Sequence, residues 1–215
     1  MRVILFLICC VLYAPAAHAY VPNLVQQNSL VDITTIADPE LAQGFFGSLE
    51  GFPHTFEIHA TKPFTLSLHL RTPNLPANTN RISSIIIKEQ KHGVVDEVAR
   101  LEGKDASWAV RSDTLTGDAY REGSSFEKEL DAGVYRVEVH TPDNTEKYIL
   151  MVGKRNDMTI GYFTLLGRLM AIQRFNERSV FWVVRSPYVY IPLGVLGCLG
   201  YGIWYMRRRR VRAGM

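Results

Sequence analysis

Six acidic side chains in the middle of the sequence could together hold a metal ion. They occupy one loop and the strand predicted to follow it, at Asp113, Asp118, Glu122, Glu127, Glu129 and Asp131. Calcium takes about six to eight oxygen ligands, which acidic loops containing glycine can supply. We therefore expect a Ca²⁺ site formed by Asp113, Asp118, Glu122 and Asp131. Their spacing does not follow the EF-hand pattern, so the alternative is a set of solvated loop carboxylates, with Gly117-Asp118 serving only as a turn.

Histidine is a second residue type that could bind a metal or act as a general base. Five histidines fall in the central part of the chain, at His54, His59, His69, His92 and His140. No two of them have the HExxH spacing of zinc peptidases. We therefore predict no catalytic residue, no enzyme, and no cofactor other than the candidate Ca²⁺. The alternative is a metal-assisted, Ca²⁺-dependent hydrolase of the cell envelope that uses the carboxylates between residues 113 and 131.

Aromatic side chains supply a third kind of candidate site. Trp108 lies in an alternating segment and could stack on a sugar ring, and we name Trp108 and Tyr120 as candidate binding residues. The alternative is packing in the core or at its rim, where a tryptophan in a strand is usually found.

Short strands must position these side chains, because the dominant period from residue 43 to 153 is two. Phe56, Ile58 and Ala60 alternate with polar residues, as do Leu66, Leu68 and Leu70. A turn at Lys62-Pro63 predicts a hairpin that places Phe56 opposite Leu70 and Glu57 opposite His69, and brings His59 close to His69.

The same alternation returns in residues 135–139 and 148–152, with turn residues at 141–144 between them, which predicts a second hairpin. Further strands are predicted at 43–49, 82–89, 94–101, 106–111 and 124–130. Some nine strands without a helix period predict a mainly β fold, an antiparallel β-sandwich or jelly roll over residues 41–153. Residues 20–40 are predicted to form a leading arm with one short strand at 30–36.

The N-terminal end has the order of a secretory signal peptide over residues 1–19. Arg2 precedes an apolar run, and Ala17-His18-Ala19 provides the small residues of a cleavage site before Tyr20. We expect the mature domain to be extracytoplasmic.

The C-terminal end predicts a single transmembrane helix over residues 187–206, long enough to cross roughly 30 Å of hydrocarbon. Arg207, Arg208, Arg209 and Arg210 follow it directly. By the positive-inside rule these arginines place the basic tail, residues 207–215, in the cytoplasm. The predicted location is therefore the cell membrane, with the lipid bilayer as a partner.

Two further helical features are predicted near the membrane. Residues 158–184 predict an amphipathic juxtamembrane helix that docks on the sandwich, lies on lipid or meets a partner. Its apolar stripe is Ile160, Phe163, Leu166, Gly167, Met170, Ile172 and Phe175. Within the span, Gly194, Cys198 and Gly202 recur every four residues and predict a face for homo- or hetero-association between helices.

Charge and cysteine content narrow the class of protein. Six of the 24 basic residues lie in the leader and tail, which leaves 18 against 21 acidic residues between them. This balance, with the charges interspersed, argues against a nucleic-acid partner. Cys9 and Cys10 belong to the leader and Cys198 to the span, so the sandwich has no disulfide.

Several motifs of the predicted sandwich resemble those of a family of bacterial single-pass membrane proteins. The matching segments are Gly51-Phe52-Pro53-His54-Thr55-Phe56, Thr116-Gly117-Asp118-Ala119-Tyr120, Ala132-Gly133-Val134-Tyr135-Arg136-Val137 and Lys147-Tyr148-Ile149-Leu150-Met151-Val152-Gly153. The ectodomain of this family is similar to the pre-peptidase C-terminal type of β-sandwich, and the resemblance covers roughly residues 41 to 206. It implies an accessory or binding module and no reaction.

Together these observations predict a membrane-anchored binding or scaffolding module of the cell envelope. Its partner would be a protein or an envelope polymer held near the membrane. Besides the hydrolase, the open alternative is a subunit of a larger membrane complex, associated through the span.

Overall fold

The computed structural model describes residues 20–76, 78–79, 81–90, 93–104, 106–157 and 160–213. Within them the alternating segments form strands β1 (Val21–Leu24), β2 (Ile33–Thr35), β3 (Gln43–Ser48), β4 (His54–Ala60), β5 (Phe64–Pro73), β6 (Ser83–Glu89), β7 (Val95–Leu101), β8 (Ala109–Ser112), β9 (Ala119–Leu130), β10 (Gly133–His140) and β11 (Lys147–Val152). Three helical elements follow, namely α1 (Tyr162–Phe175), a 3-10 helix (Val180–Arg185) and α2 (Pro187–Ala213). The predicted signal peptide and His92 lie outside the described residues.

The strands form two sheets that pack face to face. Sheet A has the order β1-β3-β11-β5-β9-β8, and sheet B has the order β2-β4-β10-β6-β7. The predicted β-sandwich followed by a long apolar helix is therefore confirmed.

The leading arm is part of the sandwich. Its strand β1 pairs in parallel with β3, and β2 pairs in parallel with β4. Each sheet thus has one parallel edge pair, whereas all other pairs of these named strands are antiparallel. The arm thus adds one edge strand to each sheet.

Both predicted hairpins are wrong, because their strands belong to different sheets. Tyr135 of β10 lies opposite Ile58 of β4, and Leu150 of β11 lies opposite Leu70 of β5. Glu57 consequently faces Arg136 rather than His69. The connection from β4 to β5 crosses between sheets that lie roughly 10 Å apart. Alternation alone cannot separate these topologies, since a strand buries the same face in either one.

The strands β3 and β11 of sheet A are buried on both of their faces. Phe45 and Leu150 point into the main core between the sheets, while Phe46 and Ile149 point into a second core beneath α1. Every residue from 45 to 47 and from 148 to 150 is accordingly buried. The predicted inward residues Tyr148, Leu150 and Val152 do lie in the main core, but Ile149 and Met151 between them are apolar too, because they pack in the second core on the other face.

The predicted helix over 158–184 is divided, and its buried face overlaps in part with the predicted stripe. Ile172 is buried in the second core, and Ile160, Leu166 and Phe175 are partly buried against it. α1 ends at Phe175, a turn containing Glu177 with φ 57° follows, and the 3-10 helix starts at Val180. Leu165, Leu169 and Ile172 are buried, whereas Phe163 is 85% exposed. The buried residues recur at i, i+4 and i+7, so they share one face of α1. Since apolar residues surround most of this helix, its composition did not reveal which face docks.

α2 contains the candidate membrane span among the described residues. The stretch Pro187–Tyr205 is 19 residues long with a mean hydropathy of 1.2, and only 6% of it is buried inside the molecule. The helix continues through the arginines of the predicted tail to Ala213.

Candidate functional site

The loop between β8 and β9 is built around the side chain of Asp113. Its Oδ1 accepts hydrogen bonds from the backbone N–H of Leu115 at 3.0 Å and of Thr116 at 2.8 Å, and from the Thr116 hydroxyl at 3.0 Å. Gly117 completes the turn with φ 72° and donates its N–H to the Asp113 carbonyl at 3.0 Å. These bonds give the loop one defined shape.

The carboxylate of Asp118 joins this loop to the end of α1. It is 2% exposed and accepts hydrogen bonds from Gln173 Nε2 at 2.8 Å and from Asn176 Nδ2 at 2.9 Å. Arg178 forms an ion pair with its other oxygen. The Asn176 amide also donates to the Tyr120 hydroxyl at 2.9 Å. A buried charge with three donors holds the helix in one position, because any shift would leave a polar group unpaired.

The loop also contacts the residues directly before α2. The buried Ser186 hydroxyl donates to the Leu115 carbonyl at 2.6 Å. At Gly117 a Cβ atom would lie 2.6 Å from the Arg185 carbonyl oxygen, so only glycine allows this close approach. The sandwich is therefore fixed to the chain one residue before Pro187, where α2 begins. We call the contacts of residues 113–118 with residues 173–186 the junction.

Two further contacts hold α1 against sheet A. Arg168 donates to the Pro22 carbonyl at 2.7 Å and to Asn23 Oδ1 at 2.8 Å, which ties the helix to β1. Lys147 Nζ donates to the Phe175 carbonyl at 2.9 Å, where the last carbonyls of a helix favour a cation. The middle and the C-terminal end of α1 are thus attached to strands.

The structure does not bring the four predicted Ca²⁺ ligands together. Asp113 and Glu122 lie on either side of Arg71, at 3.2 and 2.7 Å, and Glu122 also pairs with Arg111 at 2.9 Å. The carboxylate of Asp118 is already bonded to Gln173, Asn176 and Arg178 in the junction. Asp131 follows the other end of β9, whose 12 residues extend roughly 40 Å. The predicted site is therefore not assembled, because one continuous strand separates its members.

More generally, no group of three or more His, Cys, Asp or Glu side chains among the described residues is arranged to hold a metal ion. The histidines are dispersed. His59 lies on sheet B and His69 on sheet A. His54 is 1% exposed and its Nδ1 lies 2.8 Å from the Tyr148 hydroxyl. Burial lowers the pKa of His54, which marks it as a neutral core residue.

Of the two aromatic binding candidates, Tyr120 is a buried packing residue, whereas Trp108 is only half-buried and its binding role stays a prediction. Tyr120 is 1% exposed and belongs to the second core, so it cannot reach a ligand. Burial raises its pKa, and the charge of Asp113 raises it further. Trp108 is half-buried against the main core, and its indole N–H donates to the Gly103 carbonyl at 2.9 Å. Its ring covers Gly123, where a Cβ would lie 2.4 Å from it. Trp108 thus closes the side of the sandwich next to β9.

A groove of about 500 Å³ lies on the outer side of sheet A. Its lining includes Tyr20, Arg71, Asp113, Met151 and Lys154. The lining has two cations, Arg71 and Lys154, and one carboxylate, Asp113. Arg71 is paired with Asp113 and Glu122, and Lys154 is paired with Glu127. Both cations of the groove are therefore already engaged by carboxylates of this chain.

The small residues of the candidate span lie on α2 without a neighbour among the described residues of this chain. A Cβ at Gly194 or Gly202 would meet no atom within 4 Å, and Cys198 is exposed. Association through this face stays a prediction, as does the role of Arg207 to Arg210 in setting the orientation of the span.

The junction residues Gln173, Asn176, Arg178 and Ser186 were not identified from the sequence as functional. One signal was present, because Asn176 continues the i, i+4, i+7 series of Leu165, Leu169 and Ile172. A polar residue on the buried face of a helix needs a buried partner. Nothing in the sequence indicated that Asp118 would be this partner.

The comparisons with known proteins give a structural similarity only. No family model matches the chain, and no curated protein matches it. Among solved structures, the chain is similar to the pre-peptidase C-terminal domain of a collagenase from Bacillus anthracis, with 12% sequence identity and a TM-score of 0.37. The alignment covers 59% of this chain and 98% of that domain. The two-sheet fold described above rests on the strand pairing of this chain itself.

Proposed function

We propose that this chain is a non-catalytic binding or scaffolding module held at the outer surface of a cell membrane by one C-terminal span. The junction is the observation that carries this proposal. Ser186 is hydrogen-bonded to the sandwich, and the candidate span begins at the next residue, Pro187. A domain on a flexible linker would move freely above the bilayer. Here no linker separates the two, so the sandwich would keep a fixed height and orientation.

The outer face of sheet B is the surface proposed to meet a partner. α1 covers part of sheet A, whereas on sheet B the exposed side of β4 and β10 carries a row of ion pairs. Arg136 lies 3.1 Å from Glu57 and 2.9 Å from Glu89. These pairs are partly exposed and contribute little to stability. Their alternating charges would suit a protein or a polar envelope polymer.

A binding role is favoured over the alternative hydrolase by the state of the acidic residues. Asp113, Asp118 and Glu122 are each paired with an arginine in the described structure. Carboxylates that are held in ion pairs with arginines are poorly placed to act as general bases. We therefore propose that these residues are structural.

Anchoring is tested on the full chain with a tag after Met215, produced in a bacterial cell with an intact envelope. The protein is expected to stay in the membrane pellet at alkaline pH, with the sandwich open to added protease and the tag protected. A chain ending at Ser186 is the matched control and should be recovered in the soluble fraction. Release of the full chain by alkaline washing, or digestion of the tag in intact cells, would contradict the proposal.

Binding is tested by crosslinking in the same cells. Arg136→Ser should weaken the capture of a partner, because it removes the central cation of the row on sheet B. Lys62→Ser, in an exposed turn of the sandwich, is the control for the loss of one positive charge. Equal capture by the two variants would place the partner elsewhere.

A further inference from the structure

The 3-10 helix has one buried side and one exposed apolar side. Val183 packs into the second core and is 6% exposed. Phe181 is 80% exposed, Val184 49% and Trp182 45%. Three large apolar side chains exposed within six consecutive residues form a patch that water does not favour.

The backbone at both ends separates this helix from its neighbours. Ser179 has φ −62° and ψ 142°, and Ser186 has φ −68° and ψ 131°, so both residues are extended. A residue before proline is disfavoured in the helical region, which accounts for the extended Ser186 before Pro187. The 3-10 helix is therefore a separate short rod, and α2 does not continue its direction.

Its position along the chain fixes its depth relative to a membrane. The span Pro187–Tyr205 has 19 residues and is roughly 28 Å long, close to the roughly 30 Å of a hydrocarbon core. The headgroup layer adds roughly 5 to 7 Å on each side. Arg185, the last residue of the 3-10 helix, lies two residues before the span. This end of the helix is therefore within or next to the headgroup layer.

The arginines around Trp182 are chemically suited to this layer. The guanidinium of Arg185 lies 4.4 Å from the centre of the Trp182 ring, and that of Arg178 lies 5.7 Å from it. Arg178 is paired with Asp118, whereas Arg185 has no carboxylate partner among the described residues. Tryptophan rings prefer the headgroup region, and a guanidinium without a carboxylate partner can bind a phosphate there.

We infer that the 3-10 helix Val180–Arg185 is a lipid-contact element that lies in the membrane interface. Phe181, Trp182 and Val184 enter the boundary between headgroups and acyl chains, and Arg185 binds a lipid phosphate. Val183 and the junction hold the other side on the sandwich. The inference rests on the proposed function, because it requires the span to be inserted.

The test uses tryptophan fluorescence of the full chain in nanodiscs of phosphatidylcholine and phosphatidylglycerol, with and without brominated phosphatidylcholine. The chain has three tryptophans, at 108, 182 and 204. Trp204→Phe leaves Trp182 as the reporter of the interface, and Trp182→Phe leaves Trp204 as the reporter of the span. The double variant leaves only Trp108 in the sandwich and is the matched control.

Brominated lipid should quench roughly half of the emission of Trp204→Phe and leave the double variant unchanged, because Trp182 would lie at the boundary of the acyl chains and Trp108 in the sandwich would not. Equal quenching of Trp204→Phe and the double variant, with Trp182→Phe still quenched, would overturn the inference while the span stands. Absence of quenching in Trp182→Phe as well would overturn the proposed anchoring. Adding Arg185→Gln to Trp204→Phe should reduce the quenching, and unchanged quenching would refute the phosphate contact.

Discussion

Replacing Asp118 by asparagine is expected to loosen the docking of α1 and the 3-10 helix while the sandwich stays folded. The asparagine side chain keeps one oxygen and presents an amide where the second oxygen was. It cannot accept from Gln173, Asn176 and Arg178 together. At least one donor is left unpaired, and the charge that neutralises Arg178 is lost.

The size of this effect follows from the burial of the groups. Breaking a buried ion pair costs about 3 to 5 kcal/mol, and we take the lower value, about 3 kcal/mol, because the Arg178 side chain is 32% exposed. Leu165, Leu169 and Ile172 stay available to pack in the variant, at about 2 kcal/mol each. These apolar contacts together contribute more than the ion pair, so α1 should open more often without detaching. About 3 kcal/mol corresponds to roughly a hundredfold increase in opening.

Hydrogen exchange measured by mass spectrometry on the full chain in nanodiscs would report this change. Amides of α1 should exchange roughly a hundredfold faster in Asp118→Asn, while those of β10 in the main core keep their rate. Asp131→Asn is the control, because that carboxylate is exposed at the other end of β9. If exchange in α1 is the same in both variants, the junction does not hold the helix and the reasoning fails.

Three other predictions test the packing and the titration of the sandwich by thermal or urea unfolding. Gly117→Ala should lower the free energy of unfolding more than Gly51→Ala does. Both residues have a positive φ, which costs about 1 to 3 kcal/mol in either variant, but only Gly117 also lies against a neighbouring backbone. Equal losses would mean that this close approach does not exist in solution. Leu169→Ala should cost about 2 to 5 kcal/mol and Met170→Ala less than about 1 kcal/mol, because Leu169 is 1% and Met170 38% exposed; similar costs would mean that α1 docks by another face. Because the pKa of His54 is lowered in the folded state, the unfolded chain binds more protons than the folded chain just below pH 6.5. Stability should therefore fall as the pH drops from about 6.5 toward the folded pKa, and His54→Gln should reduce that loss. An unchanged pH profile in the variant would contradict the lowered pKa of His54.

The arrangement of the acidic residues could not be predicted from the sequence. Their proximity along the chain suggested one metal site, but a strand is an extended element, and β9 carries Asp131 far from Asp118. The neighbours that now satisfy these carboxylates come from distant parts of the chain, with Arg71 on β5 and Arg178 after α1. Sequence spacing cannot reveal such partners, because they meet only after the strands have paired.

The sequence by itself determined the strands from β2 onward, the mainly β class, and the candidate span, because each depends on local periodicity or on a continuous apolar run. The tertiary structure alone decided which strands share a sheet, since a strand such as β4 buries Phe56 and Ile58 equally well beside β5 or beside β10. It also decided which face of α1 docks, because apolar side chains are available on several of its faces and only Leu165, Leu169 and Ile172 are buried in the second core. The junction, too, was decided by the tertiary structure alone. Burying Asp118 is favourable only where three donors converge, and this convergence exists only in the folded chain.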